Sequence, residues 1–366
     1  MTCVRWAVLL ATPLVLTAQG RRPSGPKPPM SFEEYDPKSS LKVAEHPTPR
    51  AKFPFVDAHF HPRVRTPEDV QGVLADMDSI NLRTGVVLYG GSGERLKQNL
   101  AVYADRKRFV LFHQPNLKAI DDPEFGAKAA AQLEQDVKAG AVGLKIWKDF
   151  GMDLKYADGK RVPVDDPKLN PIFETCGRLK IPVVIHTGEP WTHFQPIDKN
   201  NERWLELVEF PGRAHPPGEE PTWEGLMAEQ ERLFARHSKT TFIAAHMAWR
   251  ANDLGTLGKM LDRMPNMYVE VGAVVGELGR QPNTAHDFFV KYQDRVLFGK
   301  DLYALNEYPT LFRIFETRDE YFDYVRKRNA YWKMYGLGLP DEVLKKLYYK
   351  NALRIIPGLD VRQFPK

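Results

Sequence analysis

Cysteine is almost missing from the chain. There are two in 366 residues, Cys3 and Cys176, which excludes a small scaffold built on disulfides. No apolar stretch is long enough to cross a bilayer comfortably. Residues 6–16 fall short of the roughly 20 that a spanning helix needs. Long runs of Lys or Arg are absent too, and Lys+Arg (52) only slightly exceeds Asp+Glu (47), for a net charge of +5. That balance argues against a nucleic-acid partner. A phosphate-binding Gly-rich turn is also lacking. Gly90-Gly91-Ser92-Gly93 fits neither nucleotide-binding pattern and reads as a tight turn from strand to helix. What is present, 43% hydrophobic and 27% charged residues, excludes disorder as the main state and suits a soluble globular protein with a sizeable core.

The N-terminus has the pattern of a leader. Arg5 precedes the apolar run, and the small residues Thr17, Ala18 and Gly20 follow it, giving an n-region, an h-region and a cleavage zone. The expectation is a signal peptide over residues 1–20, cleaved after Ala18 or Gly20. The mature protein would then be periplasmic or secreted, with no integral membrane association. Cys3 would leave with the leader, and Cys176 would have no partner. Residues 21–52 are rich in Pro, Lys and Ser without an apolar period, and read as an extended arm with His46 solvated. Residues 53–366 read as one domain.

Eight short apolar runs recur in that domain, at 53–60, 85–89, 109–113, 141–147, 182–186, 242–246, 267–271 and 296–298. Most are uninterrupted, as strands buried on both faces should be. Segments with helical period lie between them at 67–80, 122–139, 171–179, 223–236, 253–264 and 283–292. Thr66 before Pro67, and Asp122 before Pro123, have the form of N-caps. Most intervals match one βα unit, and the gap from the fifth run to the sixth is longer. The spacing predicts an α/β fold: a parallel (β/α)8 TIM barrel with an N-terminal extended arm and a long loop after strand 5. An open doubly wound sheet is the alternative.

Chemistry in such a barrel sits at the C-terminal ends of the strands. Those positions hold Asp57-Ala58-His59-Phe60-His61, then Lys145, His186, His246 and Asp301. His59 and His61 are two apart on a strand and face the same side. Two imidazoles, a third from another strand and a carboxylate make a competent site for a divalent metal. Arg63 and Arg280 are candidates to meet an anionic group. Glu189, Trp191 and His193 open the long loop and read as pocket wall, with Trp191 as a substrate contact. His113 lines the pocket or is a satisfied core histidine. Lys148 reads as solvated, and His215, His237 and His286 as structural or surface residues.

These residues resemble the amidohydrolase superfamily of metal-dependent barrel hydrolases, and more closely its amidohydrolase-related branch of hydrolases, lactonases and nonoxidative decarboxylases. The resemblance runs from about residue 53 to 359 and is strongest at Asp57-Ala58-His59-Phe60-His61 and Phe298-Gly299-Lys300-Asp301. The segment 347–356 looks like the last helix of that branch. The resemblance implies His59, His61, His186 and Asp301 around a metal. It implies His246 as a ligand of a second metal or a partner of the reactive water. Lys145 would bridge two metals as a carboxylated lysine, or would bind substrate or a carboxylate. One divalent ion, zinc, is expected rather than two. The implied activity is hydrolysis of an amide, ester or lactone bond of a small molecule, with Asp301, His246 and Lys145 as catalytic residues. The alternatives are a metal-dependent nonoxidative decarboxylase of an aromatic or unsaturated acid, and a noncatalytic barrel that only binds. A homodimer is a family-level expectation. For the leader, N-terminal sequencing of protein from its native host should begin near Gln19 or Arg21, and an intact Met1 on a cytoplasmic product would contradict export.

Overall fold

The computed structural model describes residues 29–31, 34–64 and 66–365, so the leader expected at 1–20 lies outside the described residues. The chain divides into two compact units, 1–41 and 42–366. The described residues of the first are exposed, and there Ser31 and Glu34 exchange backbone-to-side-chain hydrogen bonds of 3.0 and 3.2 Å.

The second unit is the barrel. Its strands are β1 (Phe55–His61), β2 (Leu82–Val87), β3 (Phe109–His113), β4 (Ala141–Ile146), β5 (Val183–Ile185), β6 (Phe242–Ala244), β7 (Met267–Glu270), β8 (Val296–Leu297) and β9 (Asp301–Leu302). Each pairs in parallel with its neighbours in the order β8-β7-β6-β5-β4-β3-β2-β1-β9. The ninth strand is the second half of the eighth. Residues 298–300 interrupt it, so β8 pairs with β7 while β9 pairs with β1. The Ala58 amide also donates to the Phe298 carbonyl at 2.9 Å across the same seam. The ring is thereby closed, as the eight runs predicted.

The helices between the strands follow from local sequence. Pro67–Ile80 starts at a complete capping box, in which the Thr66 side chain accepts from the Asp69 amide and Asp69 accepts from the Thr66 amide. Trp223–Arg236 lies where its period placed it, and the structure adds Thr222 as its cap, accepting from the Gly225 amide at 3.1 Å. Asp122 does not cap the third helix. That helix is Phe125–Ala139, and the Asp122 carboxylate accepts from the Glu124 amide at 2.8 Å in the turn before it. The helix Glu94–Val102 was not foreseen, because it buries little beyond Leu96 and Asn99 and shows no apolar stripe.

The expected arm ends earlier than residue 52. Within the second unit, Thr48 Oγ1 donates to Pro309 O at 3.0 Å and the Ala51 amide to Ile80 O at 3.2 Å. His46, expected to be solvated, keeps a ring 66% exposed but holds Asp319 Oδ1 with Nδ1 at 2.5 Å. Cys176 is a buried free thiol. Among the described residues no helix is long and apolar enough to cross a membrane.

Two glycines test the packing from opposite sides. A Cβ at Gly143 would lie 2.4 Å from the Phe112 ring, whereas one at Gly72, inside the first helix, meets nothing within 4 Å. Gly143→Ala should lower unfolding free energy in urea by about 1–3 kcal/mol. Gly72→Ala should raise it by up to about 1 kcal/mol. Equal effects would contradict this packing.

Candidate functional site

The strand ends converge on one buried cluster. His59 and His61 enter from β1, Lys145 from β4, His186 and His246 from just beyond β5 and β6, Glu270 from the end of β7, and Asp301 from β9. Ligand atoms of His59, His61 and Asp301 form one mutually close group, and those of His59, His246 and Glu270 another, each within 4.8 Å. His59 Nε2 and His61 Nε2 each lie 3.6 Å from Asp301 Oδ1.

Hydrogen bonds assign the imidazole tautomers. Glu270 is acceptor-only and lies 2.9 Å from His59 Nδ1, so that nitrogen carries the proton and Nε2 presents a lone pair toward Asp301. Glu270 also accepts from the His246 amide and the Gly272 amide, both at 2.6 Å. His246 Nδ1 lies 2.8 Å from the Gly272 carbonyl, which likewise leaves Nε2 as the acceptor, 3.3 Å from His186 Nδ1. Room for the Glu270 carboxylate depends on glycine. A Cβ at Gly299 would lie 2.2 Å from Glu270 Oε2, and one at Gly272 2.7 Å from it.

The backbone around the cluster is left-handed at several non-glycine residues. His246, Met247, Ala248 and Trp249 have φ of 57°, 52°, 53° and 51°, and Asp301 has 77°. Side chains rarely tolerate this conformation, and its clustering at one place marks a functional region. The turn lays the Trp249 ring on that of His246, with centroids 4.5 Å apart, while Trp249 Nε1 donates to Gly188 O at 3.1 Å.

Burial sets the charge states. Desolvation, helped by the Lys145 charge, holds His59 well below the usual imidazole range. It brings His61 down to about 4, and it keeps His186 low together with the neighbouring His246. Burial also pulls Lys145 down to about 8, against the opposing pull of Glu270 and Asp301. Its Nζ has no hydrogen-bond partner among the described residues and lies 4.9 Å from the Trp147 ring centroid. Desolvation pushes the Asp301 carboxyl up, but His59, His246 and His61 outweigh it and hold it below the ordinary value.

A cavity of about 260 Å³ opens above the cluster, with Lys148, His186, His246, Asp301, Tyr324 and Arg326 in its wall. The three residues read as substrate contacts lie elsewhere. Arg63 is exposed and outside this wall. Arg280 is held by Glu202 at 2.8 Å and by Glu277 at 2.6 Å, and covers the Trp332 ring. Trp191, 40% exposed, joins Arg280 in a separate cavity of about 70 Å³. Lys148 is paired with Glu189 rather than simply solvated. His113 is bonded to Asp136 on the helix Phe125–Ala139 at 2.7 Å, which leaves it a structural tie. Glu270 was missed in the sequence. Its signal was a carboxylate ending the buried strand Met267–Glu270, a residue type seldom fully buried without a partner.

Zinc titration tests this arrangement. Glu270→Ala frees the His59 ring, and Gly299→Ala pushes a methyl group into the Glu270 carboxylate. Both should weaken Zn2+ binding about 10–100-fold in chelator competition. Unchanged affinity in both would remove Glu270 from any orienting role.

Residues 56–358 match the sequence model of the amidohydrolase family. No curated protein matches the chain. Solved structures do. An uncharacterised TIM-barrel protein from Bordetella bronchiseptica superposes with a TM-score of 0.50 at 15% identity, over 82% of this chain and 97% of that one. A dihydroxybenzoic acid decarboxylase from a Polaromonas species, solved with manganese and 2-nitroresorcinol, gives 0.50 at 15% identity, over 83% and 97%. A 4-oxalomesaconate hydratase from Rhodopseudomonas palustris gives 0.48 at 14% identity, over 84% and 97%. At these identities the first two likenesses speak for the barrel alone. The family match spans the whole barrel from β1 to beyond its last helix, and on it the chain belongs to the amidohydrolase family, as an enzyme of the metal-dependent amidohydrolase-related superfamily.

Proposed function

We propose that the protein is a metal-dependent hydrolase that cleaves an amide, ester or lactone bond of a small molecule. One observation carries this reading: lone pairs converge at the barrel mouth without partners. His59 Nε2 and His61 Nε2 stand 3.6 Å from Asp301 Oδ1, beyond hydrogen-bonding reach. His61 Nε2 and His186 Nε2 are buried and have no hydrogen-bond partner among the described residues. Leaving such atoms unpaired is costly, and a divalent cation satisfies them. The residues present therefore fit a metal. His59, His61 and Asp301 would hold it, with His186 as the further ligand and Glu270 orienting His59. Zinc as the ion, one ion rather than two, export and a homodimer are parts of the same proposal.

When bound, a divalent cation polarises an acyl oxygen and acidifies water. Asp301 takes the proton of the attacking water on its carboxylate and passes it to the leaving group. That carboxyl lies below its ordinary value and is therefore ionised, as a base requires. The Nδ1–H bond to the Gly272 carbonyl fixes the His246 ring, and its Nε2 orients the water in place of accepting from His186 Nδ1. Lys145 places an ammonium group under the reacting centre, where negative charge develops. The presence of both Lys145 and His246 beside the ligands supports water activation over decarboxylation.

Turnover in oxygen-18 water on panels of amides, lactones and aromatic acids tests the reaction. Hydrolysis puts the label into a new carboxylate. Asp301→Asn should cut that turnover at least about 100-fold with little change in thermal stability. Carbon dioxide released from an aromatic acid, with no label in the organic product and no activity on amides or lactones, would replace this reading with nonoxidative decarboxylation.

A further inference from the structure

We infer that Trp249 determines how large a substrate the site accepts, by walling off a second, apolar chamber beside the first. The inference rests on the hydrolase reading only for calling the ligand a substrate. It starts from two neighbouring cavities. One, of about 260 Å³, opens above the His59–Asp301 cluster, and the other, of about 70 Å³, holds Trp191. Pro190, Arg203 and Trp249 line both, so these three form the partition. Arg203 is tied to Glu206 at 3.1 Å and to Glu277 at 3.0 Å. The indole of Trp249 supplies the apolar bulk between the chambers.

That indole is a fixed wall rather than a swinging gate. Trp249 is 7% exposed. Its ring lies on that of His246, with centroids 4.5 Å apart and 28° between the planes, and its centroid is 5.7 Å from the His186 ring. Nε1 donates to Gly188 O at 3.1 Å. Turning the ring outward would break this bond, lose the stack and expose a large apolar surface. The backbone bears a cost to keep it, because Trp249 has φ of 51°, where glycine is the unstrained residue. The contacts of the ring offset that cost.

Behind the partition, the charges of the second chamber are spent on one another. Arg280 pairs with Glu202 and Glu277, and Arg203 with Glu277. Trp191, Ala251 and Val274 supply apolar wall. At about 70 Å³ this chamber is too small for an aromatic ring, since an engineered cavity that accepts benzene measures roughly 150 Å³. A ligand is therefore confined to the first cavity. Its volume of about 260 Å³ falls below the roughly 300–1,000 Å³ of pockets that take drug-sized ligands. The substrate is accordingly a compound of a single ring or a short chain. Removing the indole joins the chambers and gives a longer apolar group a place to go. Glycine is the natural replacement, because the left-handed backbone already suits it.

Calorimetric titration of the full chain with benzamide and with para-phenylbenzamide, which carries one more ring, tests the assignment. The readout is the ratio of the two affinities, which a partly unfolded sample does not shift. Wild type should gain nothing from the added ring. Trp249→Gly should raise the preference for para-phenylbenzamide at least about tenfold. Adding Ala251→Leu or Val274→Phe to Trp249→Gly refills the second chamber, and should abolish that gain while benzamide still binds. A wild type that already prefers para-phenylbenzamide about tenfold, no gain in Trp249→Gly, or a gain that survives both refilling substitutions would overturn the assignment. Binding is read without turnover, so failure here leaves the oxygen-18 result standing, and failure there leaves this one standing.

Discussion

The site's geometry depends on one buried carboxylate, that of Asp57. Its Oδ1 accepts from the His59 amide at 3.0 Å and the Lys300 amide at 3.1 Å, and its Oδ2 accepts from the Tyr308 hydroxyl at 2.7 Å. These donors come from the first strand, from the break in the last strand, and from the helix Tyr308–Glu316 that follows. One side chain thus ties the seam of the barrel together at the level where His59 and Asp301 emerge. Burial pushes the Asp57 carboxyl up to about 7, with its three donors pulling the other way. Desolvation here is opposed by dense hydrogen bonding, as a buried acid requires.

The break in the last strand makes the site possible. A continuous strand would place alternate residues on opposite faces at a regular rise. Gly299 allows the chain to pass Glu270 and His59 closely, and the left-handed φ of Asp301 then turns its carboxylate between His59 and His61. Glu270 completes the arrangement from β7 by fixing the His59 tautomer while accepting from two backbone amides. The strained positions at His246–Trp249 and Asp301 lie at this same level, where the packed barrel beneath can hold them.

The long loop after β5 adds an electrostatic wall of a different kind. Its ladder of shared carboxylates joins Lys148 beyond β4, Glu189, Arg203, Glu206 and Arg213 of the loop, and Glu277 and Arg280 beyond β7. Pairs this buried contribute little net stability, because the desolvation they cost offsets the attraction they gain. Their effect is positional. Each guanidinium fork sets the angle of two carboxylates, so the loop is held against its neighbours in one arrangement.

The sequence by itself determined the barrel and picked out most of the polar residues that cluster at its mouth. Buried strands need unbroken apolar runs, and helices announce themselves through period and caps such as Thr66, so local patterns were enough to count eight βα units. The His-x-His pair, His186, His246, Lys145 and Asp301 stood out because polar residues at the ends of buried strands have no packing reason to be there. Only the tertiary structure decided which of them meet, and with what. Glu270 looked like the end of one more strand until His59 was found against it. Arg280 looked free, but is consumed by Glu202 and Glu277 from distant segments. Lys148 looked solvated, yet Glu189 lies beside it across the mouth. Whether a charge is spent or available depends on neighbours far away in the chain, and no local pattern encodes that.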